Sequence, residues 1–221
     1  MKLIHPDIAR QIDFKNQFCY SLIIENSQEF FSKTNELYSQ SNGGEGNFVL
    51  SHENQELNIA KSCLFIFDFY NDLLNSKKTI TSINNKVSDI LKQEDYIEDF
   101  AQLNSLIAKI NAKVTEQLDY EVSYNENLEF SDFSKLSNYK ILRSDNLLEN
   151  ILTYIQINCQ NQNISFTIFV NLFSYLSQEE IEKLIKQLHY MQINILFIDS
   201  QQKYHLKDCE TIIIDNDLCV I

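Results

Sequence analysis

The apolar positions along this chain change rhythm three times. Phe18 to Ile24 is dense in β-branched and aromatic residues and reads as a strand. Asn26 then stands at a capping position, with Glu29 three residues on. This predicts a capping box opening a helix over about Ser27 to Ser39. Helical spacing puts Phe30, Phe31, Thr34, Leu37 and Tyr38 on its inner side. The loop QSNGGEGN follows, and Asn47 to Ser51 reads as a short strand. Cys63 to Phe69, CLFIFDF, is almost continuously apolar. It reads as a strand covered on both faces in a parallel sheet, with a buried helix as the rival.

From Lys77 to Leu118 the spacing becomes threes and fours: Ile80, Ile83, Val87, Ile90, then Ile97, Phe100, Leu103, Ile107, Ile110, Val114. That pattern predicts two helices joined near Gln93 to Asp95 and packed along a narrow seam. Asp119 to Asp132 is acidic and has no lysine or arginine. Beyond it the first rhythm returns. A helix is predicted over Asp145 to Asn161, a strand over Ile164 to Leu172, and a helix opened by Ser177 with Glu180 at the capping-box position. Strands follow at Ile193 to Asp199 and Thr211 to Asp215. Strand–helix–strand at this spacing is a parallel crossover unit. The fold class expected is α/β. A parallel-sheet body comes from residues 1–76 and 133–221, interrupted by a helical arm and acidic connector over residues 77–132.

Composition narrows the function classes. At 221 residues and 44% hydrophobic, the chain can bury a good core. The longest uncharged apolar run, Cys63 to Phe67, is far too short to span a bilayer. The N-terminal MKLIHPDIARQIDF has charges and a proline where a signal peptide has an apolar stretch. A soluble, cytoplasmic protein without a membrane partner is expected. The five cysteines are scattered, without CxxC spacing, and Cys19, Cys63 and Cys159, which sit inside apolar patterns, read as small buried thiols in a reducing compartment. With the four histidines equally dispersed, zinc is not expected. The net charge of −13 argues against nucleic acid, whose phosphates it would repel.

Motifs exclude more than they assign. A phosphate loop needs glycines and a lysine so that backbone N–H groups and an ammonium can cradle phosphates. The first strand-to-helix turn is Glu25-Asn26, and Gly43, Gly44 and Gly46 are followed by Asn47 and Phe48. Nucleoside triphosphate binding by that mode is not expected. No G-x-S-x-G is present. Asp68, Asn171 and Asp199 end predicted strands, where open α/β sheets bind ligands and where helix caps also sit. Glu121, Glu126, Glu129 and Asp132 offer hard oxygen ligands that suit calcium better than zinc. Their spacing fits no EF-hand, and a solvated acidic connector explains the run as well. Residues 77–118 hold six lysines against six acids and are neutral within an acidic chain. Solvated helix faces, or a positive stripe along one side of the arm, account for them.

Phe166 to Asp199, FTIFVNLFSYLSQEEIEKLIKQLHYMQINILFID, resembles the C-terminal signature of the Csn-two proteins, the type II-A CRISPR-associated spacer-acquisition factors. In that family too an apolar strand ends in Phe-Val-Asn, a Leu-Ser cap opens a helix, and a strand like LFID follows. SLIIEN, FF, ELYSQ, then DLLNSKK, then an acidic stretch near 128–132 occur in the family's order. The resemblance implies a body like a phosphate-loop ATPase without the loop, carrying an inserted helical arm. It implies homotetrameric rings that encircle double-stranded DNA, favour its free ends and need calcium. It implies action beside the CRISPR integrase and the RNA-guided nuclease during spacer acquisition, with no enzymatic activity. By position it implies Glu121, Glu126, Glu129 and Asp132 as calcium ligands, and Lys77, Lys78, Lys86, Lys109 and Lys113 as DNA-facing cations. A ring acidic outside and basic within answers the charge objection, since charges farther apart than roughly 8 Å are screened at physiological salt. The alternatives are a degenerate nucleotide-binding hydrolase and a protein-binding scaffold of the adaptation complex.

Overall fold

The computed structural model describes residues 1–221 except 16, 72, 126 and 161–163, and residue 160 by its backbone alone. In chain order the elements are β1 (Lys2–His5), β2 (Ile8–Asp13), β3 (Cys19–Ile24), α1 (Ser27–Ser41), β4 (Val49–His52), β5 (Gln55–Leu57), α2 (Ile59–Ser62) and β6 (Cys63–Ile66). Then come α3 (Lys77–Leu91), α4 (Glu94–Thr115), α5 (Phe130–Leu136), α6 (Leu147–Gln160), β7 (Phe166–Val170), α7 (Gln178–Tyr190), β8 (Asn194–Asp199) and β9 (Glu210–Ile214). The chain divides into two compact units, Met1–Leu73 with Ser144–Ile221, and Leu74–Arg143.

In the first unit a five-stranded sheet runs β6-β7-β8-β3-β9, parallel at every pairing. β3 and β7 are buried at every position. Both their faces are covered, which is why their sequences are apolar runs instead of alternations. Tyr20, Leu22 and Ile24 of β3 share one buried cluster with Ile168 of β7, Leu196 and Ile198 of β8, and Ile212 and Ile214 of β9. Residues of opposite parity, such as Ile23, Phe169, Ile195 and Phe197, lie on the other face and are equally buried. α7 packs on β8 and α6 on α7. Each buried Ile, Leu or Phe contributes roughly 1.5–3 kcal/mol of transfer free energy.

A second, antiparallel sheet, β2-β1-β4-β5, is present in the sequence reading only as β4, the short strand expected over Asn47 to Ser51. Its Leu3, Ile8, Ile12 and Leu50 join Leu37 of α1 in the cluster over β3. The β4–β5 hairpin turns on Glu53 and Asn54, both at positive φ (47° and 64°), as a two-residue hairpin loop requires.

Three local expectations need adjustment. Asn26 caps α1 by accepting the N–H groups of Gln28 and Glu29, but the Glu29 carboxylate lies 3.5 Å from Lys33. The full reciprocal box occurs at Ser177 and Glu180. Phe31 and Tyr38, placed on the inner side of α1 by spacing, are 70% and 43% exposed, and line a groove with Phe65 and Phe67. The strand predicted to reach Phe69 ends at Ile66, because Asp68 turns the chain by accepting the N–H groups of Tyr70 and Asn71.

The second unit is helical. Ser76 caps α3 through the N–H of Thr79. α3 and α4 meet at Lys92 and Gln93, near the expected junction. The expected α3–α4 seam is not the main contact, because α3 packs chiefly on α5. Phe100 of α4 is buried beside Phe130 and Phe133 of α5, with centroids 4.4 and 6.0 Å away. Two asparagines act as brackets for the irregular segments. Asn104 accepts the N–H of Leu128 (2.7 Å) and donates to its carbonyl (3.3 Å), and Asn75 does the same for Ile141 (2.9 and 3.2 Å).

Candidate functional site

Two places follow from the sequence: the carboxyl edge of the parallel sheet, and the helical unit with its acidic connector. At the sheet edge, the connection that leaves β3 runs to β6 on one side, and the connection that leaves neighbouring β8 runs to β9 on the other, so a ligand crevice is expected between β3 and β8. The turn after β3 is closed by the chain itself. The Glu25 N–H donates to the Ile214 carbonyl (2.9 Å), and Asn26 Nδ2 to the Asn216 carbonyl (3.3 Å). Asn216 Nδ2 donates to the Glu25 carboxylate (3.3 Å). The Asn26 side chain already accepts the first N–H groups of α1. Donors that a phosphate would need are therefore bonded, and a carboxylate stands among them.

Asp199 ends β8, beside Ile23 in the sheet register. It is 5% exposed, and its Oδ2 has no hydrogen-bond partner. Burial pushes its carboxyl up to about 8, opposed by the Phe173 N–H and the Lys203 charge. Lys203 donates to the Phe173 carbonyl (2.7 Å), and Tyr204 donates its hydroxyl proton to the Leu176 carbonyl (3.1 Å). Asn171, in the left-handed region at φ 58°, donates its N–H to the Ile198 carbonyl (2.9 Å). Asp199, Lys203 and Tyr204 thus hold the turn after β7 against the loop after β8. The sequence reading named Asp199 and Asn171 but missed Lys203, whose role depends on a contact 30 residues away. Asp68 is a partly exposed turn residue, its carboxyl held below the usual range chiefly by the Asn71 N–H.

In the helical unit Lys77, Lys86, Lys109 and Lys113 are exposed and Lys78 is half-buried. Lys77 and Lys78 occupy the first turn of α3, which has no acid. Cations at the positive end of a helix dipole cost about 0.3–1 kcal/mol each, so helix stability does not explain them. Lys109 and Lys113 are one turn apart on α4 and share a face.

The predicted calcium ligands are less concentrated. Glu121 is exposed in the irregular segment after α4, and Glu129 is the exposed N-cap residue of α5, without a side-chain capping bond. Asp132, in the first turn of α5, lies 3.4 Å from Lys135. Glu126 lies outside the described residues. Among the described residues, no three His, Cys, Asp or Glu side chains gather into a metal-holding group. No described helix is long and apolar enough to cross a membrane.

Comparison with known proteins completes the picture. A family model described as CRISPR-associated protein (Cas_Csn2) matches residues 40–218. The CRISPR-associated protein Csn2 of Streptococcus agalactiae is 27% identical over 135 residues, which cover 58% of this chain and 60% of that protein. The CRISPR-associated protein Csn2 of Enterococcus faecalis is 21% identical over 115 residues, 49% of this chain and 52% of that protein. The matched region thus spans 60% and 52% of those relatives' lengths. The crystal structure of Stu0660 of Streptococcus thermophilus superposes with a TM-score of 0.65 at 12% identity, covering 96% of this chain and 74% of that one. At that identity the likeness speaks for the fold alone. The family match over residues 40–218 and the two relatives agree: the chain belongs to the Csn2 family of CRISPR-associated proteins.

Proposed function

We propose that this protein assembles as a homotetrameric ring that binds double-stranded DNA at free ends, without sequence preference, in support of CRISPR spacer acquisition in the cytoplasm. The family match over residues 40–218 carries this reading. Lys77 and Lys78 support it from the structure: two cations at the N–H end of a helix form a place where a backbone phosphate is stabilised. Lys86, Lys109 and Lys113 extend the same exposed basic character along α3 and α4. Leu106, Ile110 and Val114, each more than half exposed on α4, are apolar surface that association with further copies would cover. The CRISPR integrase and RNA-guided nuclease are the proposed working partners.

No catalytic role belongs to the reading. The closed Glu25–Asn216 turn speaks against a nucleotide hydrolase, and a phosphate-release assay with ATP is expected to stay at background. Calcium dependence is a separate condition within the proposal. It needs Glu126, or donors from other copies, beside Glu121, Glu129 and Asp132, and chelation is expected to weaken both assembly and DNA binding.

The deciding experiment is a mobility shift with linear and closed-circular duplexes of identical sequence, over a salt series, with calcium and with chelator. Linear DNA is expected to bind, with affinity falling steeply as salt rises. Replacing Lys77 and Lys78 together by alanine should weaken binding evenly across sequences and lower the salt slope by about 2. Equal capture of both DNA forms, or binding that does not respond to salt, would refute the reading. The protein-scaffold alternative predicts no shift in any arm.

A further inference from the structure

Cys19 and Cys209 face each other across the first and last strands of the parallel sheet. Tyr20 pairs with Glu210 in the β3–β9 register, so the two cysteines occupy the preceding rung. Their sulfurs are 2.9 Å apart, across 190 residues of chain. A disulfide bond is about 2.05 Å long, so closure needs a movement of roughly 1 Å, and neighbouring parallel strands already bring the backbones close. The surroundings of the two thiols differ. Cys19 is fully buried, and burial pushes its thiol well above the usual range. Cys209 is half-buried in the loop that leads into β9. The residues before each cysteine, Phe18 and Asp208, line a surface cavity of about 640 Å³ together with Lys186, His189 and Lys207. A small oxidant can approach Cys209 from that side.

We propose that Cys19 and Cys209 form an oxidisable dithiol, a modification site at which a hydroperoxide converts the pair to an intramolecular disulfide. The Cys209 thiolate attacks one oxygen of hydrogen peroxide. The O–O bond breaks, hydroxide leaves, and the sulfur is oxidised to sulfenic acid. The Cys19 sulfur then attacks the Cys209 sulfur. The S–S bond forms as the S–O bond breaks, and the departing hydroxide takes up the Cys19 proton as water. Two thiols and one peroxide give one disulfide and two waters. The product ties edge strand β9 to β3, and with it the Ile214–Glu25 and Asn216–Glu25 contacts that close the turn after β3. The inference is independent of DNA binding.

The test is peroxide treatment of the full-length protein, alkylation of remaining thiols, and peptide mass mapping without reductant. A Cys19–Cys209 linked peptide pair, lighter by two hydrogens and released by dithiothreitol, is expected, with a rise in the urea unfolding midpoint. The order of attack is read from single variants with a sulfenic-acid trap. C19S should accumulate trap on Cys209, whereas C209S should leave Cys19 unlabelled. A cross-link between Cys63 and Cys159, or between chains through Cys219, in place of the Cys19–Cys209 pair would overturn the proposal. So would oxidation of Cys219 while both Cys19 and Cys209 stay alkylatable. The wild-type map needs no variant to fold.

Discussion

The parallel sheet and the helical unit Leu74–Arg143 are both rich in isoleucine, leucine and phenylalanine, yet they use them differently. In the sheet, Phe166, Ile168, Phe169, Ile195, Leu196 and Phe197 are at most 1% exposed. In the helical unit the buried large side chains among the described residues are Leu74 and Phe100, and α3 buries Thr79, Ser82 and Ser88. Ile97, Leu106, Ile110 and Val114 of α4 stay 51–54% exposed. The sheet is a finished core whose apolar groups have already left water. The helices carry apolar surface that folding of one chain does not remove. Similar hydrophobicity therefore builds a core in one unit and, on the proposed function, offers a surface for association in the other.

The largest test of that contrast is a pair of truncations. Phe197→Ala removes a ring stacked between Phe169 and Phe173 and should cost about 3–5 kcal/mol in urea denaturation. Val114→Ala should cost no more than about 0.5 kcal/mol, and equal costs would erase the distinction. Within the helical unit Phe100→Ala should cost about 3 kcal/mol, and hydrogen exchange should quicken over residues 94–136 while the sheet amides stay protected.

Asp199 sharpens the contrast through pH. Its folded carboxyl sits at about 8, above its unfolded value, so the folded state holds a proton that the unfolded state releases. Stability is fully present below the ordinary carboxylate range and is lost as pH rises through about 8. Asp199→Asn should flatten this dependence and stabilise the protein at neutral pH by about 2 kcal/mol, read from unfolding midpoints across pH. A parallel pH profile in the variant would count against a buried neutral carboxyl. A smaller effect than at Asp199 is expected at Ser177→Ala, which removes one half of the capping box of α7 and should cost about 1 kcal/mol at all pH values where Glu180 is charged.

Much of the body was legible because its signals are local. β3, β7 and β8 announce themselves as apolar runs, and Asn26 and Ser177 mark helix starts with side chains that bond their own turns. Of the antiparallel sheet only β4 was legible. β1 and β5 are four and three residues long, and β1 pairs with β4 as Lys2 meets Ser51, so no local pattern marks either strand. The carboxyl edge was read in part. Asp199 could be placed at a strand end, but its burial and its link to Lys203 arise from packing of the turn after β7. Cys19 read as a small buried thiol, because its proximity to Cys209 depends on strand order. The spacing on α3 and α4 predicted a seam between those two helices, whereas α3 packs chiefly on α5, and α5 also covers the part of α4 around Phe100.

By itself the sequence determined the α/β rhythm, the caps, the absence of a phosphate loop and the likeness to the Csn2 family. All of these rest on contacts within a few residues or on residue identity. Only the tertiary structure decided which apolar positions leave water, that Asn216 closes the turn after β3, that Asp199 is buried at the sheet edge, and that Cys19 meets Cys209. Each depends on bringing together residues far apart in the chain, and on the solvent excluded when they meet.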